Sequence, residues 1–324
     1  MASHKARSLL IDTECILGVV TEKAANFIKK NAEAAAEEQA DSSKQGDQIT
    51  LQKHRWVPVK LINRKQLSED SRTYTFQLPG KKKILGLGTC QHVQIGFHLE
   101  DKMLIRSYTP TRPLLPPSEN KEQADGVDST MRDGDGTFDL TVKTYFPDEN
   151  QPGGAMSNIL DCIPIGEEIE IRGPTGEIVY NGNGNFVIEG NERHFDRVSL
   201  VLGGSGITPG YSLIARILMT PEDKTQIRVV DANKTKNDIL LHDELKEFEK
   251  KSKGQLKVTH VLSAPGDDWT GLKGHVNEDI IKDNLFPPEK STVALLCGPP
   301  PMIQKAALPA LKGTFQYIEP EFLR

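Results

Sequence analysis

The chain has 324 residues, enough for two domains that each bury their own core and too many for one ordinary domain. Its 40 Lys and Arg against 45 Asp and Glu leave a net charge of -5, and no basic cluster is interleaved with aromatics, which excludes a nucleic-acid groove. There is no apolar run of about 18 residues, no signal-peptide core, and no metal-type spacing among Cys15, Cys90, Cys162 and Cys297. The expectation is a cytoplasmic protein with no membrane span, no disulfide framework and no metal centre, whose redox chemistry must come from an organic cofactor.

Residues 1–48 read as a tether. "VVTEKAANFIKKNAEAAAEEQADSSKQGDQ" carries strong helix formers, Thr21 as a cap and a short apolar set (Val20, Ala24, Phe27, Ile28), then fades into Ser, Gln, Gly and Asp. A helix running out into a solvated linker is expected. Over 49–185 the signals are short strands, among them "RTYTFQLP", "HVQIGFHL", "LIRSYTP", "TFDLTVKTYF" and "EEIEIRGP", separated by Gly, Pro, Asp and Asn turns. That spacing predicts an antiparallel barrel. "LLPPSENKEQADGVDSTMRDGDG" (114–136) interrupts the rhythm and reads as a long polar surface insertion. Only "GGAMSNILDCI" carries a helical pattern in this half.

Over 190–324 strands alternate with helices. "RVSLVLGG", "QIRVVDAN", "LKVTHVLS" and "TVALLC" read as buried strands, and "TPGYSLIARILMT", "ILLHDELKEFEKKS" and the segment after "GPPP" as helices. This predicts a parallel α/β domain with ligands at the carboxyl ends of its strands.

Three glycine-rich turns carry the chemistry. "VLGGSGITPG" sets Gly203, Gly204 and Gly206 between a strand and a helix opening at Pro209, where free backbone N–H groups suit a pyrophosphate. It departs from G-x-G-x-x-G, and such a turn is also ordinary strand-to-helix chemistry. "LLCGPPPM" repeats the design, with Cys297 on the strand's last residue; the bland alternative for Cys297 is a small buried apolar residue. "QPGGAMSNIL" leads through Gly153 and Gly154 into a short helix that Ser157 or Asn158 could cap, making a second anion site or a plain connection. In "IRSYTPTRP", Arg106 offers a guanidinium for a pyrophosphate, Tyr108 a flat ring for a heterocycle and Thr109 a hydroxyl for its edge, the set a flavin dinucleotide needs. Asp238, beyond the second strand of the nucleotide domain, can accept from a ribose 2′-hydroxyl and repel a 2′-phosphate, which favours NADH over NADPH; a first-turn helix charge is the alternative.

The arginine-x-tyrosine-threonine-proline run, "GGAMS", "GPTGE" (173–177), "GGSGITP" and "CGPPPM" stand in the order and spacing of the NADH–cytochrome b5 reductase family, within the ferredoxin–NADP reductase superfamily. The chain resembles that family over residues 52–312. On "VTHVLSAPGDDWTGLKGHVNEDII" (258–281) and "CGPPPMIQKAALPALK" (297–312) it resembles in particular the flavin reductase module of eukaryotic, especially fungal, nitrate reductases. The resemblance implies FAD and NADH or NADPH as cofactors, hydride transfer from nicotinamide C4 to flavin N5, and release of single electrons to a haem protein of cytochrome b5 type. By position it implies that Arg106 binds the FAD phosphates, Tyr108 packs on the isoalloxazine and Thr109 lies near flavin N5. It further implies that Thr141, Val142, Lys143 and Tyr145 line the flavin, with Lys143 also recognising the nicotinamide nucleotide. Gly154, Ala155, Met156 and Ser157 match the pyrophosphate loop, and Thr208 matches a residue near both cofactors. Gly203, Gly204, Gly206, Gly298, Pro299 and Met302 fall in the nucleotide-binding motifs, and Cys297 falls beside the nicotinamide, orienting hydride transfer rather than attacking. Thr109, Lys143 and Cys297 are therefore the candidate catalytic residues.

The sequence departs from the family at Ala155, where a basic or polar residue is usual, in the short connection from Phe146 to Gly153, and in its ending "YIEPEFLR" where many relatives finish on an aromatic over the flavin. "SHKARSLLIDTECILG" resembles the last helix of a cytochrome b5 domain, but its haem ligand would fall near Ala2 and His4 is out of register. A nitrate reductase cut at its haem domain is the expectation, and nitrate reduction by this chain alone is expected to be absent. Three readings stand: a self-sufficient reductase, an electron-donating subunit, and a truncated remnant that binds nucleotide without useful turnover.

Overall fold

The computed structural model describes residues 48–99, 102–117, 128–147, 149, 152–313 and 321–322. The chain divides into two units, residues 1–49 and 50–324. The expected N-terminal helix, its linker and the cytochrome-like segment lie outside the described residues, so the fold is that of the second unit.

Six antiparallel strands form the first half: β1 (Val57–Gln66), β2 (Ser71–Gln77), β3 (His92–Leu99), β4 (Lys102–Tyr108), β5 (Thr137–Lys143) and β6 (Glu168–Thr175). Their order is β4-β3-β6-β1-β2-β5. The period-two pattern of a half-buried strand is plain in β1, where Val57, Val59 and Leu61 are buried and Pro58 and Lys60 exposed. The two end strands do not stay open. As the chain leaves β4, Thr111 N donates to the Asp139 carbonyl at 2.9 Å and Asp139 N to the Arg112 carbonyl at 2.8 Å, joining that segment to β5. Arg112 reinforces the seam by donating from Nε to Asp139 at 2.8 Å and from Nη1 to Asp135 at 2.6 Å. This closes the sheet into a barrel and removes its bare edge. Tyr74, Phe76, Phe138, Leu140, Met156 and Leu160 fill the interior.

Two expectations change here. Residues 114–136 are not a loose surface insertion at their ends. Leu114 and Leu115 are buried and both donate to the Met131 carbonyl, at 2.8 and 3.0 Å, while the buried Asp133 carboxylate accepts from the N–H groups of Leu85 and Gly86. The polar composition hid two apolar anchors and one acceptor. Ser157 and Asn158 do not cap helix α1 (Ala155–Cys162); its N-cap is Gly154, with no side-chain cap. Instead Asn158 Nδ2 donates to the carbonyls of Tyr145 and Gly154, and Ser157 Oγ accepts from Tyr145 N, tying the end of β5 to the helix.

The second half is a six-stranded parallel sheet: β10 (Arg197–Gly203), β11 (Gln226–Asn233), β12 (Leu256–Leu262), β13 (Leu272–Lys273), β14 (Thr292–Cys297) and β15 (Glu321–Phe322), in the order β13-β12-β11-β10-β14-β15. Successive residues of β10 serve opposite faces, with Leu200 and Leu202 against α2 (Ile207–Leu218) and α3 (His242–Lys251) and Val201 against α4 (Glu278–Asn284) and the helical run 300–313. Burial on both faces is why these strands read as unbroken apolar runs. Helix α2 starts at Ile207, after a 3-10 turn over Gly204–Gly206, and not at Pro209; the proline falls in the first turn, where its missing N–H costs nothing. Between the halves lies an unexpected antiparallel meander, β7 (Ile178–Gly182), β8 (Asn185–Ile188) and β9 (Asn191–His194), hidden in the sequence by the turn-dense "NGNGN". Its Ile178, Tyr180, Phe186 and Ile188 share one core with β10 and α2.

Candidate functional site

The parallel sheet reverses its order at β10, because the chain runs outward through β11, β12 and β13 and returns to β14 on the other side. Crevices form at such switch points, beyond the carboxyl ends of the strands. Here the crevice faces the end of the barrel and holds two adjoining cavities of ≈ 680 and ≈ 910 Å³.

The smaller cavity gathers every site residue named from the sequence except Asp238 and Met302, which line the larger one. On its barrel wall, Arg106 is exposed and, among the described residues, its guanidinium hydrogen-bonds only the Ile105 carbonyl, leaving donors for an anion. Tyr108 packs its ring on the barrel core, and burial raises its phenol pKa. Thr109 is buried where β4 ends. Thr141 turns its hydroxyl to Thr111 and Thr73, at 3.0 and 3.3 Å, so this side chain is spent within the sheet.

Next comes the Gly153–Gly154 turn. Gly153 has φ +76, and a Cβ there would stand 2.6 Å from the Tyr145 carbonyl oxygen, so only glycine fits. Ala155 is exposed at the open start of α1, Met156 reaches into the barrel core and Ser157 is buried.

On the opposite wall, Gly203, Gly206 and Gly298 let β10, the 3-10 turn and β14 close on one another. A Cβ on Gly203 would meet Met302 and Pro299 at 2.9 Å, and one on Gly298 would meet Met302 Cε at 2.6 Å. Thr208 is buried and donates to the Ser205 carbonyl at 3.1 Å. Cys297 ends β14 at the cavity, and burial pushes its thiol up to about 11, so it is neutral at pH 7. The two walls approach at Tyr145, whose hydroxyl lies 3.4 Å from Ser205 Oγ.

In the larger cavity Lys143 is held between two carboxylates. Its Nζ is 2.8 Å from Asp70 Oδ2 of the β1–β2 turn and also pairs with Asp238 Oδ1 of the nucleotide half. Asp238 belongs to a capping box, with Oδ2 accepting from Thr235 N and Oγ1 at 2.8 and 2.6 Å. Burial works against the charge on all three groups, and their mutual hydrogen bonds outweigh it, raising the Lys143 pKa and lowering those of Asp70 and Asp238. The sequence reading missed Asp70, Asn233, Lys234, Ser263, His275 and Lys305, which also line this cavity. Asn233 and Ser263 end β11 and β12 or follow directly, so the strand-end rule could have found them; Asp70 has no such signal.

The crevice fits two dinucleotides. Gly204 has φ +54 and open space where a Cβ would point, and it lines both cavities; the first-turn N–H groups of α1 and α2 carry no side-chain cap. Among the described residues no group of three or more His, Cys, Asp or Glu could hold a metal ion, and no helix is long and apolar enough to cross a membrane.

Fold and crevice define a flavin- and nicotinamide-dinucleotide-binding oxidoreductase. Residues 58–118 and 127–180 match the oxidoreductase FAD-binding domain, and residues 200–307 the oxidoreductase NAD-binding domain. The chain is 38% identical over 263 residues to nitrate reductase [NADH] 1 of Zea mays, covering 79% of this chain and 40% of that protein. It is 39% identical over 269 residues to nitrate reductase [NADH] 1 of Phaseolus vulgaris, covering 82% and 28%. It thus spans well under half the length of these relatives. The cytochrome b5 reductase domain of Ulva prolifera nitrate reductase superposes with a TM-score of 0.75 at 29% identity, over 84% of this chain and 98% of that one. The chain belongs to the family of FAD- and NAD-binding electron-transfer reductases that includes the reductase module of nitrate reductases.

Proposed function

We propose that this chain oxidises NADH and passes electrons singly to a haem protein of cytochrome b5 type. The observation that carries the reading is the convergence of Arg106, Tyr108 and Thr109 from the barrel with Gly204, Thr208 and Cys297 from the nucleotide half on one crevice. FAD, when bound, supplies the ability to take a hydride and give up electrons one at a time. The protein's part is binding and orientation. Arg106 and the α1 start hold phosphates, Tyr108 and Val142 offer apolar surface, Thr109 a hydroxyl, and Thr141, with its hydroxyl turned away, a methyl group. Ala155 leaves phosphate binding there to backbone N–H groups. Gly204, whose Cβ position is open, would let the nicotinamide nucleotide lie against backbone, while Gly203, Gly206 and Gly298 set that backbone by close packing with Met302, Pro299 and the Cys297 carbonyl. Cys297, neutral and lining the crevice, would limit how the nicotinamide ring can sit. The step needs no general acid, base or nucleophile.

NADH is the proposed donor over NADPH, supported by the Asp238 carboxylate in the larger cavity and by the [NADH] designation of the similar nitrate reductases. The domain limits proposed are 49–185 for the FAD half and 190–324 for the nucleotide half, with the β7–β9 meander spanning the limit and joining the halves through the core it shares with β10 and α2. A cytoplasmic location is supported by Cys90, Cys162 and Cys297 being free thiols. The site residues are all present at the crevice, which favours turnover over an idle remnant.

The test is the visible spectrum of the purified protein before and after anaerobic NADH, followed by reduction of ferricyanide and of cytochrome b5. Flavin bands that NADH bleaches, with electrons reaching both acceptors and no nitrite formed from nitrate, are expected. Bleaching by NADPH alone would overturn the donor assignment, and a protein that retains no flavin would overturn the whole reading.

A further inference from the structure

The Asp70–Lys143–Asp238 arrangement joins the two halves through one ammonium. Both carboxylates are fixed from behind: Asp70 Oδ1 accepts from Ser68 Oγ and Ser71 Oγ at 3.0 and 2.9 Å, and Asp238 Oδ2 is held by Thr235. The backbone also fixes Asp70. Ser71 pairs with Lys143 across β2 and β5, and Thr144 N donates to the Asp70 carbonyl at 2.6 Å. The mobile member is therefore the lysine, a point charge on a four-carbon stem. Its side chain is 13% exposed, and it faces the cavity together with both acids.

The salt bridge occupies the Asp238 oxygen that a ribose hydroxyl would need and holds the ammonium that a phosphate would need. Both obstacles are removed by one movement of Lys143 away from Asp238. If the barrel had no carboxylate at residue 70, the released ammonium would be drawn to solvent.

We propose that Asp70 is a positioning residue: when the dinucleotide enters, Lys143 releases Asp238 but stays paired to Asp70, so the cation remains for a phosphate and the freed carboxylate for a ribose hydroxyl. This rests on the reading of Lys143 and Asp238 as nucleotide-contacting residues given above. It assigns Asp70 no contact with the dinucleotide itself.

The test is calorimetric titration of the full-length, FAD-loaded protein with NAD+, using wild type, Asp70→Asn, Lys143→Met and the double variant, with Asp70→Glu as the conservative replacement. Asp70→Asn is expected to weaken NAD+ about fivefold to tenfold and to raise the KM for NADH similarly, with kcat at saturating NADH and melting temperature little changed. In the Lys143→Met background the same substitution is expected to have no further effect, because the two act as one unit. Asp70→Glu should recover most of the affinity. Additive effects, unchanged affinity or tighter binding in Asp70→Asn would overturn the proposal, as would a loss of kcat and melting temperature without a change in affinity. Wild-type protein that binds no NAD+ overturns the underlying nucleotide reading as well, and is told apart because Lys143→Met then gives the same flat titration.

Discussion

Gly206 packs so tightly on the end of β14 that a Cβ added to it would overlap the carbonyl group of Cys297. This contact fixes the 3-10 turn against the strand that carries the thiol, and so sets the nucleotide side of the crevice. Gly206→Ala is expected to lower stability by about 1–3 kcal/mol, the usual cost of overpacking. Gly204→Ala meets no atoms but must hold φ +54, at about 1–2 kcal/mol. Thermal melts measure both. NAD+ titration should separate them, since the methyl group of Gly204→Ala projects into the cavities.

Cys297 carries a testable pH signature. The unfolded thiol ionises near pH 9.0 and the folded one near about 11. Between those values the unfolded state sheds its proton first, so the contribution of this group to stability falls as pH rises through that window. Alkylation by iodoacetamide should be slow at pH 7–9 and accelerate only toward pH 11, and Cys297→Ala should keep its FAD and retain measurable NADH-ferricyanide activity. Rapid alkylation at pH 7 would contradict the assignment of a neutral thiol.

Arg106 is the one exposed guanidinium on β4, and its donors are largely unspent. Arg106→Ala is expected to cost about 1.5–3 kcal/mol of flavin binding, a charge-assisted hydrogen bond's worth, seen as flavin lost on gel filtration while the melting curve of the apoprotein is unchanged. Arg106→Lys should recover only part, because a point charge cannot bind a phosphate through two parallel bonds.

Asp133 anchors the returning end of the 114–136 excursion by accepting two backbone N–H groups. Burial raises its pKa, with those bonds opposing. Asp133→Ala would strand both donors and is expected to cost about 2–4 kcal/mol, at about 1–3 for each buried group left unpaired. Asp133→Asn, which keeps one acceptor oxygen, should cost about half as much in a denaturant melt.

Much of this was legible from local pattern. Strands buried on both faces announce themselves, as in "RVSLVLGG", and glycines pressed between backbones leave a motif, as in "CGPPPM". What depends on partners distant in sequence was not. Asp70 lies 73 positions before Lys143 in an ordinary Ser-Glu-Asp-Ser turn, and only the β2–β5 register brings them together. Nor did anything in "LLPPSEN" show that its leucines would be buried, because a polar average conceals two apolar anchors. Ser157 and Asn158 were at a helix start, where capping is the local choice, but the passing Tyr145 backbone competed for their hydrogen bonds and won.

The backbone clips that follow the barrel's seam also have a practical use. Outgoing and returning chain are clipped together by Leu114, Leu115 and Met131, with Asp133 N donating back to the Leu115 carbonyl at 3.0 Å, and none of these four residues lines the crevice cavities. A graft placed between those clips, whether a fluorescent reporter or a tethered haem domain, would start and finish at adjacent points. Doubling the graft's length would then add only about 0.6 kcal/mol of closure entropy. The excursion is therefore a ready attachment port for wiring this reductase to an acceptor of choice.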